Sequence, residues 1–149
     1  GDAAHAMVPF FGQGMNCGFE DCELFDGILA RHARWDEAFA ELSATRKTNS
    51  DAIADMAVEN FIEMRDKVGD PAFLLEKAVE GVLQKKFPGQ YVSRYALVTF
   101  SRVPYREAYE RGVRNAALLA ELCRDLRAAD ELDLDKAAAL LQNFPKGDS

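Results

Sequence analysis

Apolar residues recur at helical spacing along most of the chain, and this periodicity limits the fold more than any other feature. After Gly14, apolar side chains form one broad face: Phe19, Cys22, Leu24, Phe25, Ile28 and Leu29. Glycines, prolines and capping residues divide the remaining pattern into further segments. The predicted helices cover residues 15–33, 36–45, 50–68, 72–87 and 104–128, and a short last helix ends near residue 143. The chain is therefore expected to be mainly α-helical.

Two segments depart from the helical pattern. Residues 1–11 are small and apolar, and they predict the end of a strand followed by a loop that Pro9 keeps non-helical. Residues 91–92 and 95–100 are β-branched and aromatic, which predicts one or two short extended segments or a strand. A lone strand has no partner in such a domain. We therefore expect the chain to be part of a larger fold whose sheet lies elsewhere.

Composition excludes several classes of protein. With 149 residues, 48% of them hydrophobic and 29% charged, the chain has the composition of one globular domain rather than a disordered segment. The net charge of −7 and the lack of a strong basic patch argue against nucleic-acid binding. No apolar run approaches the roughly 18 residues that a membrane span requires.

Cysteine and histidine usage carries little chemistry of its own. Three cysteines, an odd number, disfavour a disulfide framework and predict a reducing, cytoplasmic compartment. Cys17, Cys22 and Cys123 are interpreted as buried thiols, because free cysteine is often buried. The spacing of Cys17 and Cys22 is poor for a shared metal, and neither His5 nor His32 has a matching second ligand in the sequence. No metal site is predicted.

The glycines that precede the first long helix form the most informative cluster. Gly12 and Gly14 flank Gln13 at the helix start, and glycine allows a ligand to approach the backbone closely. The free N–H groups and the helix dipole favour negative charge there. The carboxylate of Asp2, predicted after a strand, is suited to accept hydrogen bonds from sugar-like hydroxyls. An ordinary strand–loop–helix corner is the alternative interpretation.

The string GDAAHAMVPFFGQGMNCGFEDC resembles the second flavin-binding motif of the FAD-dependent aromatic monooxygenases. The resemblance implies that FAD is the cofactor and that Asp2, Met15 and Asn16 contact it. It also implies that Pro9 and the two glycines of the cluster shape the flavin site. A helix N-terminus stabilises negative charge, which agrees with an anionic reduced flavin.

Two further segments resemble the kynurenine 3-monooxygenase family in particular: NFIEMR from Asn60, and SRYALVTFSRVPYREAYERG ending at residue 112. The resemblance covers residues 1–112. It implies that the chain is the C-terminal helical part of an α/β FAD-dependent monooxygenase fold. It implies that the kynurenine pocket is lined by five residues of this chain: Phe10, Asn60, Glu63, Met64 and Tyr95. Taken without the resemblance, Asn60 lies on an apolar helix face, where a core amide bonded to a neighbouring loop is the alternative to ligand binding. Taken alone, Tyr95 is more typical of a packed aromatic, and its assignment depends on the resemblance.

The implied reaction is hydroxylation of L-kynurenine to 3-hydroxykynurenine with NADPH and O2, and no residue is assigned as a catalytic acid or base. The alternatives are another FAD-dependent aromatic-ring hydroxylase and a non-catalytic helical interaction module. The family's GxGxxG motif and its arginine-containing segments are absent from the sequence. We therefore expect a C-terminal portion that is inactive alone and whose partner is the missing N-terminal part.

The resemblance also implies three functional segments along the chain. Residues 1–33 would end the FAD-binding domain, and residues 34–112 would form the helical region around the substrate pocket. Residues 113–149 are charged and amphipathic, where eukaryotic members carry a hydrophobic membrane anchor. This last segment is expected to be a soluble helical extension.

Overall fold

The structure is a computed structural model that describes the backbone of residues 2–143 and the side chains of residues 3–143. Seven α-helices occur in this part of the chain: α1 Asp2–His5, α2 Gly14–Leu29, α3 Trp35–Ile62, α4 Pro71–Lys86, α5 Arg94–Phe100, α6 Tyr105–Cys123 and α7 Leu134–Asn143. Short 3-10 turns form at Pro9–Phe11 and Ala129–Glu131, and a π-helical turn at Glu63–Lys67. No strand occurs among the described residues, so the predicted mainly α-helical class is confirmed. No described helix is both long enough and apolar enough to cross a membrane.

Two compact units divide the chain. The first comprises the residues up to Ile62 together with Pro104–Arg106. In it, α2 packs against α3. The core of this unit is built mainly from one face of α3 and two residues of α2: Cys17, Ile28, Ala38, Ala52, Ile53, Met56 and Ala57. This apolar burial is the main term that stabilises the unit.

The second unit comprises Glu63–Val103 and the described residues from Glu107 to Asn143. One continuous apolar cluster forms its core: Val79, Leu83, Tyr91, Leu118, Leu119, Leu122, Leu132, Ala137 and Leu141. The cluster draws its residues from α4, α6, α7 and the segments that join them. The hydroxyl of buried Tyr91 donates to Glu80 Oε1 at 2.9 Å, so this polar atom is not left unpaired inside the core.

The prediction of a strand at residues 95–100 is wrong, because these residues form α5. Ser93 precedes the helix in extended backbone (φ −65°, ψ 153°), and its hydroxyl accepts a hydrogen bond from the N–H of Ala96. This N-cap outweighs the β propensity of the aromatic and branched residues that follow. The backbone on either side of α5 is extended, at Ser93 and at Ser101.

The prediction for residues 1–11 is also wrong in part. Asp2–His5 is helical rather than the end of a strand, and the two alanines within it favour a helix. Pro9 opens a 3-10 turn instead of keeping the segment free of helix. Its fixed φ angle suits the first position of a helical turn, where an N–H group is not needed.

The predicted break between helices at residues 46–49 does not occur, and α3 runs unbroken through it. The polar side chains that suggested a break have partners inside the unit. Thr45 Oγ1 donates to the carbonyl of Glu41 at 2.8 Å, and Ser50 Oγ donates to the carbonyl of Arg46 at 3.1 Å. The side chain of Asn49 accepts from the backbone N–H of Arg106 at 3.1 Å.

Candidate functional site

A tight turn at Gly12 leads the chain into α2. Gly12 has φ = 67°, in the left-handed region, and its N–H donates to the carbonyl of Pro9 at 3.2 Å. A Cβ at this position would meet no atom within 4 Å. Glycine is therefore needed here for its backbone conformation and not for space, because other residues rarely adopt this φ. The role predicted for Pro9 and Gly12 in shaping a flavin site stays a prediction.

The first turn of α2 is exposed and carries no side-chain cap. Gln13, at the N-cap position, does not cap a backbone N–H of this turn with its side chain. Its Oε1 instead accepts from the side chain of Asn16, with Nδ2 at 2.8 Å. Met15 is 72% exposed, and an alanine Cβ at Gly14 would touch only Met7 Cγ, at 3.9 Å. The first N–H groups of a helix have no intrahelical acceptor, so this turn is suited to a polar or negatively charged ligand.

Four of the six predicted flavin residues thus lie together in one turn of the chain: Gly12, Gly14, Met15 and Asn16. Pro9 begins the 3-10 turn that leads into them. Asp2 begins α1, and its side chain lies outside the described part of the structure.

Phe10 and Asn60, two of the predicted substrate residues, contact each other in the first unit. Asn60 Nδ2 donates to the backbone carbonyl of Phe10 at 2.7 Å. The Phe10 ring lies 4.5 Å from the ring of Phe61, centroid to centroid. The amide of Asn60 therefore fixes the backbone that leads into Gly12. This is the loop-bonding role that the sequence analysis weighed against ligand binding.

The other predicted substrate residues lie in the second unit. Glu63 is half-buried, with Oε1 at 3.6 Å from Nη2 of Arg94. Met64 is exposed. Tyr95 is 59% exposed, and its ring meets that of Phe100 edge-on with centroids 6.1 Å apart. Tyr95 is therefore accessible to a ligand and is not a core aromatic.

A buried charge network that the sequence analysis missed ties α1, α2 and α3 together. Arg46 donates to Asp21 Oδ1 at 2.6 Å, to Glu20 Oε2 at 3.0 Å, and to both the carbonyl and the Sγ of Cys17 at 2.8 Å. His5 Nε2 pairs with Asp21 Oδ2. The sequence offered one signal for this network, the four-residue spacing that places Cys17 and Asp21 on one face of α2. The bonds that His5 and Arg46 make to these residues join positions 12 to 29 residues apart, so helical spacing does not reveal them.

The network sets the protonation of its members. Burial alone would raise the pKa of Asp21, but hydrogen bonds from His5 and Arg46 outweigh it and hold this pKa below its ordinary value. Burial raises the pKa of the Cys17 thiol, and the charge of Arg46 only partly opposes it. Burial also raises the pKa of Tyr105, which hydrogen-bonds to Glu20. Asp21 is therefore ionised, and Cys17 remains a thiol.

The same residues have the composition of a metal site, since the ligand atoms of His5, Cys17 and Asp21 lie within 4.8 Å of one another. The guanidinium of Arg46 already donates to both Cys17 Sγ and Asp21, and a metal ion would have to displace this cation. The arrangement therefore favours an ion-pair network over a metal centre. Cys17 is buried, as predicted, but the prediction is wrong for Cys22, which is exposed; Cys123 is partly exposed.

A cavity of about 550 Å³ adjoins this network in the first unit. Phe25 and Leu42 provide apolar walls, and Arg46, Lys47 and Asp51 provide charged ones. Beside the cavity, Phe25, Trp35 and Phe39 form what we call the aromatic cluster, with ring centroids 5.3 to 6.2 Å apart. Trp35 is 63% exposed, so the cluster presents a large apolar surface to solvent.

Comparison with known proteins relates the chain to one enzyme family. It is 58% identical over 143 residues to the kynurenine 3-monooxygenase of Myxococcus xanthus, covering 96% of this chain and 31% of that protein. It is 48% identical to that of Stenotrophomonas maltophilia, covering 94% and 30%, and 44% identical to that of Dictyostelium discoideum, covering 97% and 35%.

No family model matches the chain. The chain spans about a third of the length of these relatives, with 30 to 35% of each covered. It is thus homologous to kynurenine 3-monooxygenases and corresponds to a portion of them, as the sequence motifs predicted.

Proposed function

We propose that the chain is the C-terminal portion of a flavoprotein monooxygenase that hydroxylates L-kynurenine to 3-hydroxykynurenine with NADPH and O2. The observation that carries the proposal is the Gly12 turn, which leads into the exposed, uncapped N-terminus of α2. The resemblance puts the flavin at these same residues. Identities of 44 to 58% to kynurenine 3-monooxygenases support this choice over other aromatic-ring hydroxylases.

The chemistry of the donors at this turn fits FAD. Backbone N–H groups at the start of α2 suit the polar edge of a flavin ring and the negative charge that the ring carries when reduced. When bound, FAD supplies the redox chemistry with NADPH and O2, and the protein contributes binding, orientation and exclusion of water. We assign flavin contacts to Asp2, Met15 and Asn16, and the shape of the turn to Pro9, Gly12 and Gly14.

For the substrate, we assign contacts in each unit separately. Phe10 and Asn60 in the first unit, and Glu63, Met64 and Tyr95 in the second, are proposed to contact kynurenine. The exposed positions of Met64 and Tyr95 support the assignment, because their side chains are accessible to a ligand. The rest of the relatives' length is the proposed partner of the chain, and a cytoplasmic location remains a prediction from its cysteine content.

The test uses a hybrid protein in which this chain replaces the segment that it matches in the Myxococcus xanthus relative. We expect the purified hybrid protein to retain FAD and to form 3-hydroxykynurenine with NADPH. Gly12→Ala should weaken FAD binding, because a side chain in the left-handed region costs about 1–2 kcal/mol. Equilibrium dialysis against FAD measures the change.

Gly18→Ala is the matched control on the same helix. A Cβ at Gly18 meets no atom within 4 Å, and alanine suits a helix interior, so FAD affinity should be unchanged. If the Gly12→Ala variant and the unmodified hybrid protein bind FAD with equal affinity, the Gly12 turn is not part of the flavin site. A hybrid protein that binds FAD and leaves kynurenine unaltered would contradict the proposed substrate.

A further inference from the structure

The turn that follows α3 is widened. Glu63–Lys67 forms a π-helical turn, and Glu63 is its first residue. Such turns are rare and occur frequently at functional sites. Glu63, one of the proposed substrate residues, thus lies where the backbone is no longer a regular α-helix.

Arg94 is the ionic partner of Glu63 that the structure provides. Its Nη2 lies 3.6 Å from Glu63 Oε1, and the side chains are only 19% and 27% exposed. A pair this shielded from water is screened less than a surface pair. Ser93 caps the helix that Arg94 begins, so the backbone of Arg94 is fixed.

Gly112 in α6 makes room for the Arg94 side chain. A Cβ on Gly112 would lie 2.5 Å from Cδ, 3.0 Å from Cγ and 3.1 Å from Cβ of Arg94. The clash involves the whole stem of the arginine, so moving only the guanidinium would not relieve it. Glycine inside a helix is destabilising relative to alanine, and here the close approach of Arg94 accounts for it.

We propose that Arg94 is a positioning residue that holds the carboxylate of Glu63 for the substrate, and that Gly112 is required because it lets Arg94 reach Glu63. This inference rests on the proposed function, in which Glu63 contacts an amino-acid substrate. A carboxylate that is already oriented loses less side-chain freedom when the substrate binds.

The primary test is Gly112→Ala in the hybrid protein. With its stem displaced, Arg94 no longer reaches Glu63, and the KM for kynurenine should rise about three- to tenfold. Flavin content and kcat should be unchanged, because the loss is one of ground-state binding. The control is Gly81→Ala in α4, where a Cβ meets no atom within 4 Å and KM should not change. An unchanged KM in the Gly112→Ala variant overturns the inference.

Arg94→Met provides a second variant that leaves α6 untouched, and it should raise KM to the same extent. Combining Gly112→Ala with Glu63→Gln should give no further rise over Glu63→Gln alone, because both act through one carboxylate. Additive effects would show that Gly112 acts elsewhere, and they would overturn the inference. If Glu63→Gln itself leaves KM unchanged, the proposed role of Glu63 in substrate binding fails. If Glu63→Gln raises KM and Arg94→Met does not, only the positioning role fails.

Discussion

Arg46 connects the largest number of polar groups in the first unit. It is 7% exposed and donates to three residues of α2. Placing so many charges away from water is costly unless each is paired and hydrogen-bonded. The network therefore stabilises the unit only while it is complete, and removing one member leaves the others as uncompensated charges.

Arg46→Met should lower the free energy of unfolding by roughly 3–5 kcal/mol, because Asp21 and Glu20 lose their cation while remaining in place. Urea unfolding of the chain, followed by circular dichroism, measures the loss.

Lys47→Met, the next residue of α3, is the control for this prediction. Lys47 is exposed and pairs with Asp51 at the surface, so its loss should cost less than about 1 kcal/mol. Similar losses for the two variants would show that the Arg46 network is no more than a set of surface ion pairs.

Single residues were predictable from the sequence where the reason is local. Gly12 could be recognised because the tight turn before a helix needs a left-handed backbone conformation, which favours glycine. The partners of His5 and Arg46 could not be recognised, because they are set by the packing of α1 and α3 on α2. The exposure of Cys22 could not be predicted for the same reason. Burial depends on which face of α2 packs against α3, and the apolar face of α2 is too broad to identify the buried side.

At the level of elements, caps and side-chain hydrogen bonds determine where helices form when the propensities of the residues predict otherwise. α5 contains Tyr95, Val98, Thr99 and Phe100, all residues that favour strands, yet it is a helix with a serine N-cap. Apolar periodicity did predict α2, α4, α6 and α7, because it reports burial directly. The predicted break inside α3 was wrong because polar side chains that usually indicate a loop bond to the helix backbone instead. Thr45 is an example, since its hydroxyl donates to the carbonyl of Glu41.

Ser93→Ala should therefore destabilise the second unit by about 1 kcal/mol, within a range of roughly 0.5–2 kcal/mol for lost N-caps. The Ser93 hydroxyl accepts from Ala96 N–H at 3.2 Å, and the residue is buried, so water does not readily replace the bond. Thermal unfolding followed by circular dichroism provides the measurement.

Ser43→Ala, at an exposed position inside α3, is the comparison for the cap. Alanine has the higher helix propensity, so this change should be neutral or slightly stabilising. If Ser93→Ala is equally neutral, the cap does not explain why α5 is a helix.

On the scale of the molecule, the chain spans about 30% of the length of several relatives. Its two units each have a core of their own. By the family resemblance, it would carry the second of two flavin motifs, the first being the GxGxxG motif. The contacts to the adenine and pyrophosphate of FAD are proposed to come from the rest of the relatives' length.

We therefore expect the isolated chain to fold but to bind FAD weakly. Titration of FAD with the chain should produce little quenching of flavin fluorescence, whereas the hybrid protein should quench it strongly. Since Kd values of 1 μM and 1 mM differ by about 4 kcal/mol in binding free energy, the two cases are easily separated. Sub-micromolar binding by the isolated chain would contradict the need for the first motif.

The aromatic cluster gives the first unit a built-in optical probe. Trp35 is the single tryptophan among the 149 residues, and it lies exposed beside Phe25 and Phe39. An indole in water emits at longer wavelength than one in an apolar contact, so its emission colour reports whether the cluster is covered. A polypeptide that lacks tryptophan and covers the aromatic cluster would shift the emission toward blue. One that binds elsewhere would leave the emission colour unchanged, and neither measurement requires a label or a substitution.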